Sequence, residues 1–199
     1  MSTFSRSGTP SSVGKIITGL KIQDLSRGGN GVTREVISLS EKDEKPRVLF
    51  VPLTLAGDIV TVKLVAEEKR FATAELVEIE TPSTDRVKAP CAVFGKCGGC
   101  TWQHVPYALQ WKTKRDGVLH ALSRTEVKLP SAPIAEFPAE NPWHYRNRVQ
   151  LRARPSEQGG VVLGYFGRRS KDLVAVERCE IAREELNAVL AETRAEAET

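Results

Sequence analysis

The stretch that most constrains this chain is Cys91-Ala-Val-Phe-Gly-Lys-Cys97-Gly98-Gly99-Cys100, which runs on into Thr101-Trp102-Gln103-His104. Three of the four cysteines lie in it, and the fourth, Cys179, lies far downstream. Residues 1–12 are polar and lack the apolar core of a secretory signal, so a reducing, cytoplasmic setting is expected. Cysteines clustered in such a setting point to a metal before a disulfide. The spacing is C-x5-C-x2-C with a remote fourth thiol, and Gly98 and Gly99 let the backbone fold tightly around a bound group. Four thiolates suit tetrahedral zinc or a [4Fe–4S] cluster. Spacing alone favours zinc, the commoner structural case. A thioredoxin-like Cys-Gly-Gly-Cys pair is disfavoured, because no βαβ pattern surrounds it.

The region before the loop reads as β structure. Residues 14–25 alternate loosely and break at Ser26-Arg-Gly-Gly-Asn-Gly31. Further strands are expected over 32–38, 48–52, 58–65 and 71–79, with a charged loop at 41–46. Five short strands fit a small antiparallel barrel of the OB type. The glycines of 26–31 match no phosphate loop, since no helix follows them, and a hairpin turn is the expected role. Phe50 and Phe71 have the character of base-stacking residues, but on strands this apolar they are assigned to the core.

Thr81–Pro90, with two prolines, reads as a linker. Residues 105–122 have helical spacing, with Leu109, Trp111, Val118, Leu119 and Leu122 on one apolar face. A Pro-rich stretch over 128–143 leads into Trp143-His-Tyr-Arg146-Asn-Arg148-Val-Gln-Leu-Arg152-Ala-Arg154, where alternation places the four arginines on one side of a strand. Strands are expected at 161–166 and 172–177, and a helix over 182–198 with Leu186, Val189 and Leu190 apolar. The expected architecture is α+β, divided into a polar, disordered tail (1–12), the barrel (13–82) and a small α+β domain around the cysteines (83–199).

Charge is unevenly placed. Residues 1–83 balance 11 basic against 11 acidic side chains, 84–178 carry 16 against 8, and 179–199 carry 2 against 6. The positive excess surrounds the cysteines, as expected of a surface that meets a polyanion such as nucleic acid. No apolar run approaches the length of a membrane span, so no membrane partner is expected.

Cys91, Phe94-Gly-Lys-Cys97-Gly-Gly-Cys100, Gln103-His104, Tyr107, Gln110 and Lys112 closely resemble the cysteine loop of the S-adenosylmethionine-dependent RNA uridine-5-methyltransferases. The blocks Tyr145-Arg146-Asn147-Arg148-Val-Gln-Leu and Cys179-Glu-Ile, with Leu186-Asn187, resemble the same family. Residues 13–82 look like its N-terminal TRAM domain, an OB-like RNA-binding barrel. The resemblance implies that Cys91, Cys97, Cys100 and Cys179 ligate a [4Fe–4S] cluster, in place of zinc. It implies an RNA-facing role for Trp102, Gln103, His104, Arg146, Arg148 and Arg152. Ribosomal RNA is the implied partner, ahead of tRNA, because an N-terminal barrel is present. The family's S-adenosylmethionine site and nucleophilic cysteine belong to a further C-terminal domain. No Gly-rich cofactor turn occurs here and every cysteine is committed, so the chain alone is expected to be inactive, as a portion of such an enzyme. The competing expectation is a stand-alone zinc- or cluster-containing RNA-binding adaptor without catalysis.

Overall fold

A computed structural model describes residues 12–34, 47–126, 134–157 and 159–197. The chain divides into two compact units, Met1–Arg86 and Val87–Thr199. The tail at 1–11, the charged loop at 41–46 and the second half of the strand expected over 32–38 lie outside the described residues.

The first unit is a curled six-stranded mixed sheet that forms a half-barrel. Its strands are β1 (Ile16–Lys21), β2 (Asp24–Leu25), β3 (Asn30–Thr33), β4 (Val48–Pro52), β5 (Ile59–Glu67) and β6 (Phe71–Thr81), in the order β1-β5-β6-β4-β3-β2. This corrects the expectation of five antiparallel strands in two respects. The run from 16 to 25 bends and serves both edges of the sheet, pairing with β5 at its start and β3 at its end. In addition, β4 and β6 are parallel. At the bend, the Ile22 N–H donates to the Asp58 carbonyl at 2.9 Å and the Gln23 N–H to that of Val32 at 2.9 Å. Residues 26–31 form the expected hairpin turn, where the Ser26 N–H donates to the Asn30 carbonyl at 2.8 Å. Gly31 has no room for a Cβ, which would overlap the Thr54 hydroxyl and lie 2.7 Å from Ile22 Cγ2.

Alternation sorts the sheet's two faces. In β5, Val60, Val62 and Leu64 are fully buried while Lys63 is exposed. In β4, Leu49 and Val51 point into the core and Phe50 does not. Phe50 instead meets Phe71 edge to face at 5.9 Å between centroids, and Phe71 is exposed. The assignment of these two rings to the core is therefore corrected, because they occupy the outer parity of their strands. Asp58, fully buried, fastens the unit's end. Its carboxylate accepts from the Leu55 N–H at 2.7 Å, the Ser83 N–H at 2.8 Å and Arg86 Nη2 at 2.5 Å. Burial alone would raise its pKa, but Arg86 and the two backbone donors hold it below the usual carboxylate range.

The second unit contains helix α1 (Tyr107–Leu122), the sheet β7 (Arg152–Pro155), β8 (Val161–Phe166) and β9 (Leu173–Ala175), and helix α2 (Glu184–Ala197). Its sheet is antiparallel throughout. Among the described residues one core cluster is Leu163, Val176 and Leu190, with Val93, Leu151 and Tyr165 packed against it, and Val105, Ile181 and Ala182 are buried as well. On α2 the inward face is Asn187 and Leu190, while Val189 is exposed. Helix α1 buries no residue, and Val118 on its expected apolar face is 59% exposed. The long strand expected through Arg146 and Arg154 shrinks to β7. Residues 144–146 spend their hydrogen bonds elsewhere, with the Arg146 N–H donating to the Ile181 carbonyl at 2.8 Å and the Arg146 carbonyl accepting from Arg183 N–H at 2.9 Å.

Candidate functional site

The cysteine loop is a series of tight turns. The Phe94 N–H donates to the Cys91 carbonyl at 3.1 Å, and the Cys97 N–H to that of Val93 at 2.9 Å. The loop docks on the turn after β8, where the Gly98 N–H donates to the Phe166 carbonyl at 2.9 Å and the Arg168 N–H to that of Lys96 at 3.0 Å. A Cβ on Gly98 would sit 3.1 Å from the carbonyls of both Phe166 and Gly167, so this approach favours glycine. The Gly99 N–H reaches Cys97 Sγ at 3.4 Å.

Cys179 is brought to the same place from the other end of the unit. Its N–H donates to Asn187 Oδ1 at 2.9 Å, and Asn187 Nδ2 donates back to the Cys179 carbonyl at 3.3 Å. Asn187, 6% exposed on α2, is thus the anchor of the remote thiol. All four cysteines are half-buried free thiols that line one cavity, together with Phe94, Gln103, Arg146, Tyr165 and Arg178. Burial pushes the Cys91 and Cys100 thiols up; Cys97, Cys179 and Glu180 add repulsion at Cys91, and the other three cysteines add it at Cys100. Without a bound cation both stay protonated at neutral pH.

Four cysteines lining one cavity are the donor types that a thiolate-bound cluster would use. Four thiols face one space, and a backbone N–H already points at a sulfur, as in sites that tune iron–sulfur centres. Tyr165 adds an independent sign, since its hydroxyl is buried without a nitrogen or oxygen partner. Its pKa is raised first by burial and then by Cys179. A single tetrahedral zinc would need the sulfurs about 3.8 Å apart. Among the described residues no group of three or more His, Cys, Asp or Glu side chains is placed so that it could hold a metal ion.

The other expected site residues separate into two groups. Gln103 is 6% and His104 2% exposed, so both face inward rather than toward a partner. Gln103 Oε1 accepts from the Cys91 N–H at 3.2 Å, while His104 stacks on Phe94 at 5.6 Å and its carbonyl accepts from the Val87 N–H at 3.1 Å. Both brace the loop. Trp102 is half-buried, with Lys114 Nζ 5.6 Å from its ring. Arg146, Arg148 and Arg152 are exposed. Arg152 and Arg154 lie over the ring of Phe166, at 5.3 and 6.0 Å. Tyr165, Asn187, Lys114 and Trp143 carry no mark in the spacing that would single them out. Only Asn187 stands in a block quoted for the resemblance, and there without a role.

No protein-family model matches the chain. It is 34% identical over 181 residues to a Synechocystis protein named as an uncharacterized RNA methyltransferase, covering 90% of this chain and 37% of the relative. Proteins of the same description from Listeria monocytogenes and Thermosynechococcus vestitus are 35% and 36% identical, over 88% and 86% of this chain and 36% of each relative. The crystal structure of Pyrococcus abyssi tRNA (uracil-54, C5)-methyltransferase in complex with S-adenosyl-L-homocysteine matches at TM-score 0.55 and 25% identity, over 88% of this chain and 35% of that one. Over nearly its whole length, then, the chain is related to RNA methyltransferases. It spans little more than a third of the curated relatives it matches. Among the described residues no helix is long and apolar enough to cross a membrane.

Proposed function

We propose that this chain is the RNA-recognising portion of an S-adenosylmethionine-dependent RNA (uracil-5-)-methyltransferase, and that Cys91, Cys97, Cys100 and Cys179 hold a [4Fe–4S] cluster. In this reading residues 13–82 are an OB-like TRAM barrel, and residues 83–199 a cluster-bearing domain. The observation that carries it is the arrival of Cys179, on the far side of a three-stranded sheet in sequence, in the cavity lined by the loop cysteines. A bound cluster supplies four metal–sulfur links that tie the loop to the start of α2. The chain's own groups then do the rest. Asn187 and Gln103 fix the backbones of two ligands, and Gly99 N–H and the Tyr165 hydroxyl face the sulfurs. Arg146 reaches the rim of the cavity, and Arg148 and Arg152 extend a cationic surface that meets RNA phosphates. With all four thiols taken as ligands, no nucleophile for methyl transfer is assigned within these residues.

Ribosomal RNA is the proposed substrate. Its rationale, the presence of a barrel, is weakened by the likeness of 88% of the chain to an enzyme whose name specifies tRNA. A 23S rRNA fragment and a tRNA transcript are therefore the two arms of the binding test.

Anaerobic purification should yield a brown protein with about four iron and four sulfide per chain. A colourless protein with one zinc would overturn the cluster assignment. RNA binding should weaken with rising salt, and Arg146→Ala with Arg148→Ala should reduce the slope of log K against log salt by about 1.4 for single-stranded contacts.

A further inference from the structure

Beside the cysteine cavity lies a second, open pocket of about 170 Å³. It takes Trp102 and Thr101 from the end of the loop, Gln110 and Lys114 from α1, and Trp143 and Tyr145 from the segment before β7. Three aromatic rings from two separate stretches thus converge on one space with a cation at its edge. Tyr145 is 63% exposed and Trp143 half-buried, so the rings are open to a ligand. Their positions are set by backbone bonds rather than by a core. The Trp102 carbonyl accepts from the Val105 N–H at 2.9 Å and from Gln110 Nε2 at 3.2 Å. Trp143 N–H donates to Asn141 Oδ1 at 2.9 Å. His144, at a φ of 54°, turns the chain between the other two rings, and its Nδ1 lies 3.0 Å from the Ala182 carbonyl.

We infer that this pocket binds one unstacked nucleobase of a single-stranded RNA segment, against Trp102, Trp143 and Tyr145, with Lys114 beside the adjoining phosphate. This rests on the RNA-binding reading above and adds a place and a mode to it. Aromatic faces accept any base, while a cation at the rim selects a polyanionic chain over a free apolar ligand. The volume is below the 300 Å³ or more usual for small-molecule sites, and suits one heterocycle with its ribose left outside. Gly99, Cys100, Gln103 and Ile181 line both this pocket and the cysteine cavity, so ordering the cluster loop also orders the base site.

The test uses the full chain, purified anaerobically, in a Trp111→Phe background that leaves Trp102 and Trp143 as the fluorescent reporters. Heptauridylate should quench their emission, and an abasic ribose-phosphate chain of equal length should not. Trp143→Ala should weaken heptauridylate about 5- to 100-fold, the range of one base stack, and Trp143→Phe should restore most of it. Lys114→Gln should weaken both chains alike. Trp143→Ala should leave the abasic chain's affinity unchanged, which separates lost stacking from a disturbed fold. Equal binding of the two chains by the unaltered protein, with salt dependence intact, overturns the base pocket and leaves RNA binding standing. No binding of heptauridylate, rRNA fragment or tRNA overturns the underlying reading together with the pocket.

Discussion

The two units are held together by different means. Among the described residues the first buries twelve apolar side chains, nine of them in one cluster from Leu20 and Ile22 through Leu49, Val51, Val60, Val62 and Leu64 to Ala72 and Ala74. The second, though longer, buries six among its described residues, Val105, Leu163, Val176, Ile181, Ala182 and Leu190, and has a sixteen-residue helix with no buried side chain. Apolar burial is worth roughly 25 cal/mol per Å², so the second unit, with fewer buried apolar side chains on a longer chain, has the smaller folding force per residue. Small domains in that position use a metal or disulfides as staples. The cavity lined by Cys91, Cys97, Cys100 and Cys179 lies where such a staple would join the loop, the end of β8 and the start of α2. If the proposed cluster binds there, the difference gives it a structural role in its own unit.

The largest expected effect follows from removing that staple. Cys179→Ser, or chelation and oxidation of the proposed cluster, should abolish protection of the second unit's amides against hydrogen exchange. The Gly98, Arg146 and Arg183 N–H groups, which join its separate segments, are the reporters. The β5 and β6 amides should keep their protection. If the second unit stays protected in Cys179→Ser, its small core suffices and the contrast between the units is broken.

The counterpart in the first unit is Asp58. Asp58→Ala leaves Arg86, 18% exposed at its side chain, without its partner, and leaves the Leu55 and Ser83 N–H groups without an acceptor. Removing one member of a buried pair costs about 3–5 kcal/mol, measurable by denaturant unfolding followed at β5 and β6. The pH dependence has a definite sign. The carboxyl is held below its usual value of about 3.9, so its contribution is complete above that pH and is lost as pH falls through the lower folded value. The unaltered first unit should therefore weaken below about pH 4, and Asp58→Asn should flatten that loss. An unchanged acid limb in Asp58→Asn would show that other carboxylates control it.

The sequence is readable where one rule decides. Alternation marks β4, β5 and β6, because each has one face on a core, and the same parity read strictly puts Phe50 outside. Cysteine spacing marks the loop, because three of the thiols that line the cavity are near neighbours in the chain. Illegible features depend on pairing at a distance. Nothing local tells β4 to lie parallel to β6, or residues 144–146 to bond with 180–183 rather than extend β7. The same holds for the site. Tyr165, Asn187, Trp143 and Lys114 gain their places only when three segments meet. Gln103 and His104 adjoin the loop in sequence, yet the turn at 102–105 directs them inward.

The smallest effect sharpens the comparison from the other side. The helical period places Val118 on an apolar face of α1, and in the fold it is 59% exposed. A buried valine replaced by lysine costs several kcal/mol through desolvation of the ammonium and lost packing. At an exposed helical position the change should move stability by less than about 0.5 kcal/mol, with lysine's better helix propensity offsetting part of any loss. Val118→Lys should therefore leave the unfolding midpoint of the second unit nearly unchanged, whereas Leu64→Ala in the first should cost about 2–5 kcal/mol. A large loss from Val118→Lys would mean that α1 has a covered apolar face. The second unit would then bury more apolar surface than Val105, Leu163, Val176, Ile181, Ala182 and Leu190 supply, and its need for a staple would fall accordingly.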